Sequence, residues 1–237
     1  MKDYQGFKNN GNWYKGNLHS HTTVSDGKMT PEQSVEVYKE HGYNFLALSE
    51  HDIYTDYRKQ YNTDNFIMIP AIEASAILYQ EEGSSKRLEI HHLHGILGTS
   101  EMQKNAKAPL FTHMEHVPPQ KHYGTWRGRE ISQEIADMLR DRGCVVTYNH
   151  PIWSRVTEEE FIYTEGVQAL EIFNYNTVLE SNTGYDVTYW DRMLRMGKKI
   201  NGFASDDNHN EGLFEDSCGG WICVQAPELT HDAIIQN

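Results

Sequence analysis

The 237-residue sequence predicts an α/β barrel. Apolar strand-like runs alternate with helical patterns, which is typical of a parallel sheet whose crossovers are helices. Runs such as residues 45–48 and 144–148 are almost entirely apolar, as expected for strands that are covered on both faces. Histidines or carboxylates follow most of these runs. In barrels of this type the active site lies at the C-terminal ends of the strands.

The apolar runs and the helix signals give the expected order of elements. We expect strands at residues 13–18, 45–48, 66–70, 88–97, 144–148, 169–173, 200–204 and 221–224. We expect helices at residues 30–42, 54–61, 130–142 and 185–196, and another that begins at 228–230. The helix at 30–42 has the clearest start, because Thr30 can cap it, Pro31 suits its first turn and Gln33 completes a capping box.

Three stretches fall outside this alternation. Residues 1–12 are polar and are interpreted as a leader. Residues 98–129 show no clear period and carry several prolines, so they are either a lid over the site or a solvated insertion. The last expected helix stops early, so we expect the natural protein to extend beyond residue 237. Residues 1–237 otherwise fit one domain.

Composition limits the classes of partner. The net charge of −13 argues against tight non-specific binding to nucleic acid or to an anionic membrane, although a small phosphorylated substrate remains compatible. The three cysteines, the absence of a signal-peptide pattern and the absence of a long apolar run predict a cytoplasmic protein without a membrane span. The oligomeric state cannot be predicted.

The first chemical motif is the pair His19 and His21. Residues two apart on a strand point to the same side, so both imidazoles can reach one metal ion. A lone pair of this kind is a weak signal, since a hydrogen-bonded core histidine is the commoner explanation. Further ligand types follow later strands, however: Asp26, Glu50, His51, Asp52, Glu73, His91, His92, His94, His150, Asp206, Asp207 and His209.

These motifs resemble, in order, those of the PHP superfamily, named for polymerase and histidinol phosphatase. The matching motifs are His19-x-His21 with Asp26, Glu50-His51-Asp52, Glu73, His92-x-x-Gly95, His150-Pro151 and Asp207-x-His209. The resemblance covers residues 17–230. It implies a distorted seven-stranded TIM-like (β/α) barrel, two or three bound metal ions and hydrolysis of phosphate esters.

The resemblance also implies three metal positions. The first would be held by His19, His21, Glu73 and Asp207, the second by Glu73, His92 and His150, and the third by Asp26, His51 and His209. Mixed histidine and carboxylate ligands favour Zn, Mn or Fe. Two assignments stay open: His94 is an alternative to His92, and Asp206 to Asp207. Glu50, Asp52, Asn149 and Glu171 would orient ligands or are simply polar loop residues.

Catalysis is assigned to Glu73, Asp207, His209 and Arg155. Arg127, Arg129 and Arg155 are the candidate phosphate-binding residues, because a guanidinium can grip a phosphate with two hydrogen bonds. The sequence shows no Gly-rich phosphate loop, no nucleophile elbow and no Cys–His pair, so a metal-activated water is the expected nucleophile. The favoured function is hydrolysis of a small phosphomonoester or nucleotide. The alternatives are an exonuclease or phosphodiesterase on short oligonucleotides and a non-catalytic, metal-binding regulatory domain.

Overall fold

The computed structural model describes residues 11–212 and 215–237. Its strands are β1 (Asn12–Asn17), β2 (Phe45–Leu48), β3 (Ile53–Tyr54), β4 (Ile67–Tyr79), β5 (Arg87–Leu97), β6 (Glu115–His116), β7 (Gln120–Tyr123), β8 (Cys144–Tyr148), β9 (Val167–Asn174), β10 (Asn201–Ser205) and β11 (Ile222–Ala226). Its helices are α1 (Pro31–Glu40), α2 (Arg58–Tyr61), α3 (Ser100–Lys104), α4 (Gly128–Asp141), α5 (Pro151–Ser154), α6 (Glu158–Phe161), α7 (Tyr175–Ser181), α8 (Val187–Arg195) and α9 (His231–Gln236).

The main sheet curves into a nearly closed barrel, which confirms the predicted fold class. Its strands are hydrogen-bonded in the order β10-β9-β8-β5-β4-β2-β1-β11. The segments that follow β1 and β10 contact each other and close the barrel. Ser20 pairs there with Asn208, and the backbone N–H of Asp207 donates to the carbonyl of His19 at 2.9 Å. The path therefore contains eight strands, and the last of them, β11, lies antiparallel along residues 12–16 of β1.

One strand runs against the predicted direction. The sequence predicts a parallel sheet, but β5 is antiparallel to both of its neighbours, β4 and β8. Only residues 80–86 connect β4 to β5, and a parallel crossover needs a dozen residues or more. The third strand is also longer than expected, so Glu73 lies within β4 rather than after its end.

The inner face of the barrel changes from apolar to polar along the strands. On β4, Ile69 and Ala71 belong to a buried apolar cluster, and two residues further along the same face comes Glu73. On β5 the same change runs from Ile96 to His94. The apolar layer therefore forms a floor, and the polar side chains gather above it.

The bounds predicted for α1 and α4 from capping and stop residues agree with the structure to within two residues at each end. Thr30 caps α1 and Gln33 completes the capping box as predicted. Gly143 follows α4 with a φ of +78°, a backbone conformation that glycine adopts without strain. Residues 54–61 are mostly not helical, since they contain only the end of β3 and the single turn α2. Helix α7 was not expected.

The irregular segment 98–129 contains α3, β6 and β7. Strand β7 adds to β4 in parallel at Ala76–Tyr79, and β6 pairs with β3. The expected leader falls almost wholly on residues 1–10, which lie outside the described residues. Within the described residues, no helix is both long enough and apolar enough to cross a membrane.

Candidate metal centre

The structure brings all nine predicted ligand residues into one cluster at the polar end of the barrel. Histidines and carboxylates that follow β1, β2, β8 and β10 meet Glu73 of β4 and His92 of β5 there. The parallel strands present their C-terminal ends to this face, whereas β4 and β5 contribute from within the strand. Most of the cluster is buried, and only Asp26, His51 and His209 keep partial exposure.

Glu73 lies at the centre with its two oxygens facing different histidines. Its Oε1 lies 3.1 Å from Nε2 of His19, 3.3 Å from Nε2 of His150 and 3.4 Å from Nδ1 of His92. Its Oε2 lies 3.0 Å from Nδ1 of His51 and 3.4 Å from Nε2 of His21. A carboxylate placed in this way can bridge two cations.

Asp207 faces the two histidines that follow β1. Its Oδ1 lies 3.0 Å from Nε2 of both His19 and His21, and these two nitrogens lie 3.2 Å apart. With Glu73 they form the fully buried group that the sequence predicted for the first metal.

The other two predicted groups are also recognisable. His51 and His92 gather around Glu73, with His150 beside them, and His21 joins the predicted third group of Asp26, His51 and His209. Nε2 of His209 lies 3.4 Å and Nε2 of His51 lies 3.6 Å from the carboxylate of Asp26. This outer group borders the solvent.

An outer layer of side chains orients the cluster. Nδ1 of His19 lies 2.8 Å from Oε1 of Glu171, which leaves Nε2 of the neutral ring as a lone pair directed at the cluster. Asn149 donates to Oε1 of Glu73 at 2.7 Å, and Asn174 donates to Oδ2 of Asp207 at 2.9 Å. Two more of the predicted orienting residues bind backbone instead: Glu50 accepts from Thr22, and Asp52 accepts from Ser75.

The structure separates the two pairs that the sequence left open. His92 belongs to a ligand group, whereas His94 lies fully buried with Nε2 4.0 Å from Glu73 and outside every such group of the described residues. Asp207 faces the histidines, whereas Asp206 accepts hydrogen bonds from the hydroxyl of Tyr38 and from the backbone of residues 218–220. His91 points away and contacts Tyr148.

The charges of the cluster shift its pKa values strongly. Burial acts to lower the pKa of His21, but the close approach of the Asp207 and Glu73 carboxylates and the charges of both raise it to about 10. Burial acts to raise the pKa of Glu73, but the surrounding histidines hold it well below its usual range. Burial lowers the pKa of His92 and of His94. A carboxylate pair surrounded by six imidazoles is an environment suited to cations.

The donor atoms fit bound metal ions better than they fit one another. Several buried atoms of the cluster have no partner in hydrogen-bond geometry, although they lie near other polar atoms: Nδ1 of His51, Oε2 of Glu73, Nδ1 of His92 and Oδ1 of Asp207. An unsatisfied buried polar atom costs about 1–3 kcal/mol. Nitrogen lone pairs and carboxylate oxygens that converge on common points would be satisfied by divalent cations.

A cavity of about 200 Å³ opens above the cluster. Beyond the cluster residues it is lined by Arg87, Trp153, Asn176, Glu180, Glu211 and Asp216. None of the described residues of the segment 98–129 lines it, which favours an insertion over a lid. Among the described lining residues, Arg87 alone carries a permanent positive charge.

The three arginines predicted to bind phosphate do not line this cavity, so phosphate binding by them stays a prediction. Arg129 lies on the outer surface, 4.8 Å above the ring of Tyr163. Arg127 is exposed just before α4. Arg155 is exposed and donates through Nη2 to the main-chain carbonyl of Arg87 at 2.9 Å. It therefore supports the arginine that does line the cavity.

Sequence reasoning missed Arg87, Trp153, Asn176 and Glu180. Arg87 begins β5, and a strand that was thought to be parallel would place its first residue at the wrong end of the barrel. The short polar connection 80–86 was the signal that could have shown the hairpin. Asn176 and Glu180 lie on α7, which follows β9 directly and gives no separate helix signal.

Comparison with protein-family models gave no match, and comparison with curated proteins gave none either. Solved structures do match in fold. One is a two-domain protein from Bacteroides vulgatus that contains a predicted PHP-like metal-dependent phosphoesterase, with a TM-score of 0.55 and 15% identity over 95% of this chain. This chain spans 62% of that protein's length.

Two further structures cover most of both chains. A protein from Bifidobacterium adolescentis, inferred to be a metal-dependent phosphoesterase, has a TM-score of 0.51 and 14% identity over 93% of this chain and 94% of its own. An amidohydrolase from Chromobacterium violaceum, solved with sulfate and no metal, has a TM-score of 0.51 and 14% identity over 83% of this chain and 88% of its own. The resemblance to the PHP superfamily is confirmed at the level of the fold.

Proposed function

We propose that this chain is a hydrolase, namely a metal-dependent phosphoesterase that cleaves a small phosphomonoester or nucleotide with water as the nucleophile. The observation that carries the proposal is the convergence of nine histidines and carboxylates around Glu73, with buried donor atoms that lack hydrogen-bond partners. The proteins from Bacteroides vulgatus and Bifidobacterium adolescentis, which share the fold, are also inferred to contain or to be metal-dependent phosphoesterases.

The proposed ligands are those predicted from the sequence, and they would hold two or three divalent transition metals such as Zn, Mn or Fe. When bound, such metals supply a water of lowered pKa and neutralise charge on the phosphate oxygens. The buried group of His19, His21, Glu73 and Asp207 would form the tightest position, because its members are fixed by the outer layer. The group with Asp26 would be the weakest, because it is partly exposed.

The chain's own residues would orient the substrate. Arg87, which lines the cavity together with the cluster, would neutralise a phosphate oxygen, with its backbone held by Arg155. Glu73 would hold the two sides of the cluster at a fixed distance. His209 keeps Nε2 directed towards Asp26, because its Nδ1 lies 2.9 Å from the carbonyl of Asp207.

The lining of the cavity supports water rather than a side-chain hydroxyl or thiol as the nucleophile. The described lining residues include no serine, threonine or cysteine. Cys144 is buried in the core, and Cys218 and Cys223 do not line the cavity.

The alternatives predict different behaviour. A regulatory domain without activity should have lost ligands, yet every position carries a competent ligand type. An exonuclease on short oligonucleotides would need cationic side chains to bind the flanking phosphates. Outside the cluster, however, the described lining residues include one cation, Arg87, and three carboxylates, those of Glu180, Glu211 and Asp216. A small phosphomonoester fits this lining better.

The test combines a substrate screen with elemental analysis. Protein purified without chelator, and protein reconstituted with Mn or Zn, should contain two or three metals per chain and hydrolyse a subset of phosphorylated metabolites. Less than one metal after reconstitution would contradict the multinuclear centre. Full loading without hydrolysis of any phosphate ester would favour the regulatory alternative.

A further inference from the structure

The outer wall of the cavity is built by Trp153 and Glu180. Trp153 lies three residues after His150, and the centres of the two rings are 5.1 Å apart. Its Nε1 donates to Oε2 of Glu180 at 2.7 Å, so the single turn α5 is tied to the end of α7. Both side chains line the cavity. The indole therefore stands beside the metal-ligand cluster in a fixed orientation.

Two carboxylates that line the cavity, those of Asp216 and Glu180, differ in the hydrogen bonds that they accept. Asp216 is buried, and its carboxylate accepts hydrogen bonds from the backbone N–H groups of His209 and Asn210. Glu180 is exposed, and among the described residues only the indole donates to it. Its carboxylate lines the cavity beside the indole and is not one of the proposed metal ligands, so it is available to contact the alcohol portion of an ester whose phosphate lies at the cluster.

We propose that Trp153 and Glu180 form the subsite for the leaving group, and that Glu180 sets a preference against leaving groups that carry a second anionic charge. The inference rests on the proposed phosphoesterase function and adds the class of ester that the site accepts. The face of an indole attracts cations and apolar groups, and a carboxylate repels anions. Esters with a neutral or cationic alcohol portion are therefore favoured over esters with a carboxylate or a further phosphate.

The experiment uses three small phosphomonoesters that differ in the charge of the alcohol portion. They are phosphoethanolamine with an ammonium group, glycerol 3-phosphate with hydroxyl groups and 3-phosphoglycerate with a carboxylate. Metal-loaded wild-type protein should hydrolyse 3-phosphoglycerate with the lowest kcat/KM. In Glu180→Gln, kcat/KM for 3-phosphoglycerate relative to glycerol 3-phosphate should rise about fivefold, mainly through KM, as expected for loss of one partly exposed like-charge contact. Metal content should not change.

Glutamine is the sharpest replacement, because its side-chain oxygen can still accept from Nε1 of Trp153. Glu36→Gln is the matched control, since it removes the same charge from the exposed face of α1, away from the cavity. The ratio of the two esters should stay within twofold of the wild-type ratio in this control.

The outcomes separate this inference from the function on which it rests. If wild-type protein hydrolyses the esters but Glu180→Gln leaves their ratio unchanged, the leaving-group assignment is wrong and the phosphoesterase stands. An equal change in Glu36→Gln would likewise overturn it, by assigning the preference to overall charge. If loaded wild-type protein hydrolyses no phosphomonoester, the proposed function is wrong and the inference falls with it.

Discussion

Nδ1 of His19 lies 2.8 Å from Oε1 of Glu171, and both side chains are fully buried. The other oxygen of Glu171 accepts from the backbone N–H of His150 at 3.0 Å and from Asn174 at 2.9 Å. One carboxylate from β9 thus fixes two proposed ligands and the residue that supports Asp207. A group of this kind acts on a metal through the orientation and basicity of its ligands.

We therefore expect Glu171→Gln to weaken metal binding without removing the cluster. The amide turns its NH₂ group either towards Nδ1 of His19 or towards the N–H groups of His150 and Asn174. At least one of these contacts is therefore lost, and with it the fixed orientation of a proposed ligand. Loss of such support typically lowers metal affinity about 10–100-fold. Chelator competition on the metal-loaded protein measures the change. Glu165→Gln on the exposed surface is the control, and equal affinities in all three proteins would contradict the role of Glu171.

The buried hydroxyl of Tyr38 gives a prediction about stability. It lies 2.6 Å from Oδ2 of Asp206 and 2.8 Å from Oδ1 of Asn208, and Asn17 donates to it at 3.0 Å. Tyr38→Phe leaves these buried partners without the hydroxyl, which should lower the free energy of unfolding by about 1–3 kcal/mol. Urea denaturation tests this. Tyr61→Phe should change the free energy by much less, and an equal loss would show that the network is not the cause.

The sequence predicted the site better than it predicted the sheet. Spacing alone placed His19 and His21 on one side of a strand, and the ordered motifs identified Glu73, His150 and Asp207, all of which meet in the structure. These residues could be found because metal binding needs particular side-chain types at strand ends. Their role as ligands stays a prediction until metals are measured.

The direction of β5 could not be read from its composition, because an apolar run fits either orientation. It depends on the length of the connection, and residues 80–86 permit only a hairpin. Because β5 was predicted to be parallel, Arg87 at its start was not recognised as a site residue, although the antiparallel strand brings it to the cavity. The choice between His92 and His94 was open for a related reason: both point inwards, and only their depth in the barrel separates them.

Asp186 gives a prediction about pH. Burial raises the pKa of this carboxyl to about 7, although it accepts a hydrogen bond from the backbone N–H of Ile152. Because the folded-state pKa lies above the unfolded value of about 3.9, the group stabilises the fold when protonated. That contribution is complete below about pH 4 and is lost as the pH rises through about 7.

Asp186→Asn removes this titration and keeps an oxygen for Ile152. As the pH rises from 5 to 8, the wild type loses this stabilisation and the variant does not. The Tm of the variant should therefore rise relative to the Tm of the wild type over this range. The change should amount to several degrees, since about 1 kcal/mol shifts Tm by roughly 2–4 °C in a chain of this size. Thermal melts at four pH values measure it, and a difference that is constant with pH would contradict the buried, titrating carboxyl.

The last prediction concerns Glu73 and the nucleophile. Its two oxygens face separate sets of histidines, so replacing the charged carboxylate by the amide in Glu73→Gln should weaken both sets at once. We expect kcat to fall on the order of 10² or more while circular dichroism stays native. His19→Ala and Asp207→Asn should behave similarly. The double variants should lose little more than the single ones, because residues that act as one unit do not add.

Single-turnover hydrolysis in ¹⁸O-labelled water identifies the bond that breaks, and a rapid quench tests for a phosphorylated side chain. If water attacks phosphorus directly, the phosphate released in the first turnover carries one labelled oxygen, and the P–O bond to the alcohol breaks. A side-chain nucleophile would give a phosphorylated protein whose formation needs no water. Wild-type chain would then contain phosphate after a rapid acid quench if a carboxylate is the nucleophile, or after a rapid alkaline quench if a histidine is. Because the described cavity lining holds no hydroxyl or thiol and its histidines are all proposed metal ligands, we expect label in the first turnover and no trapped phosphoprotein. Phosphate on the quenched chain would contradict the direct attack of water.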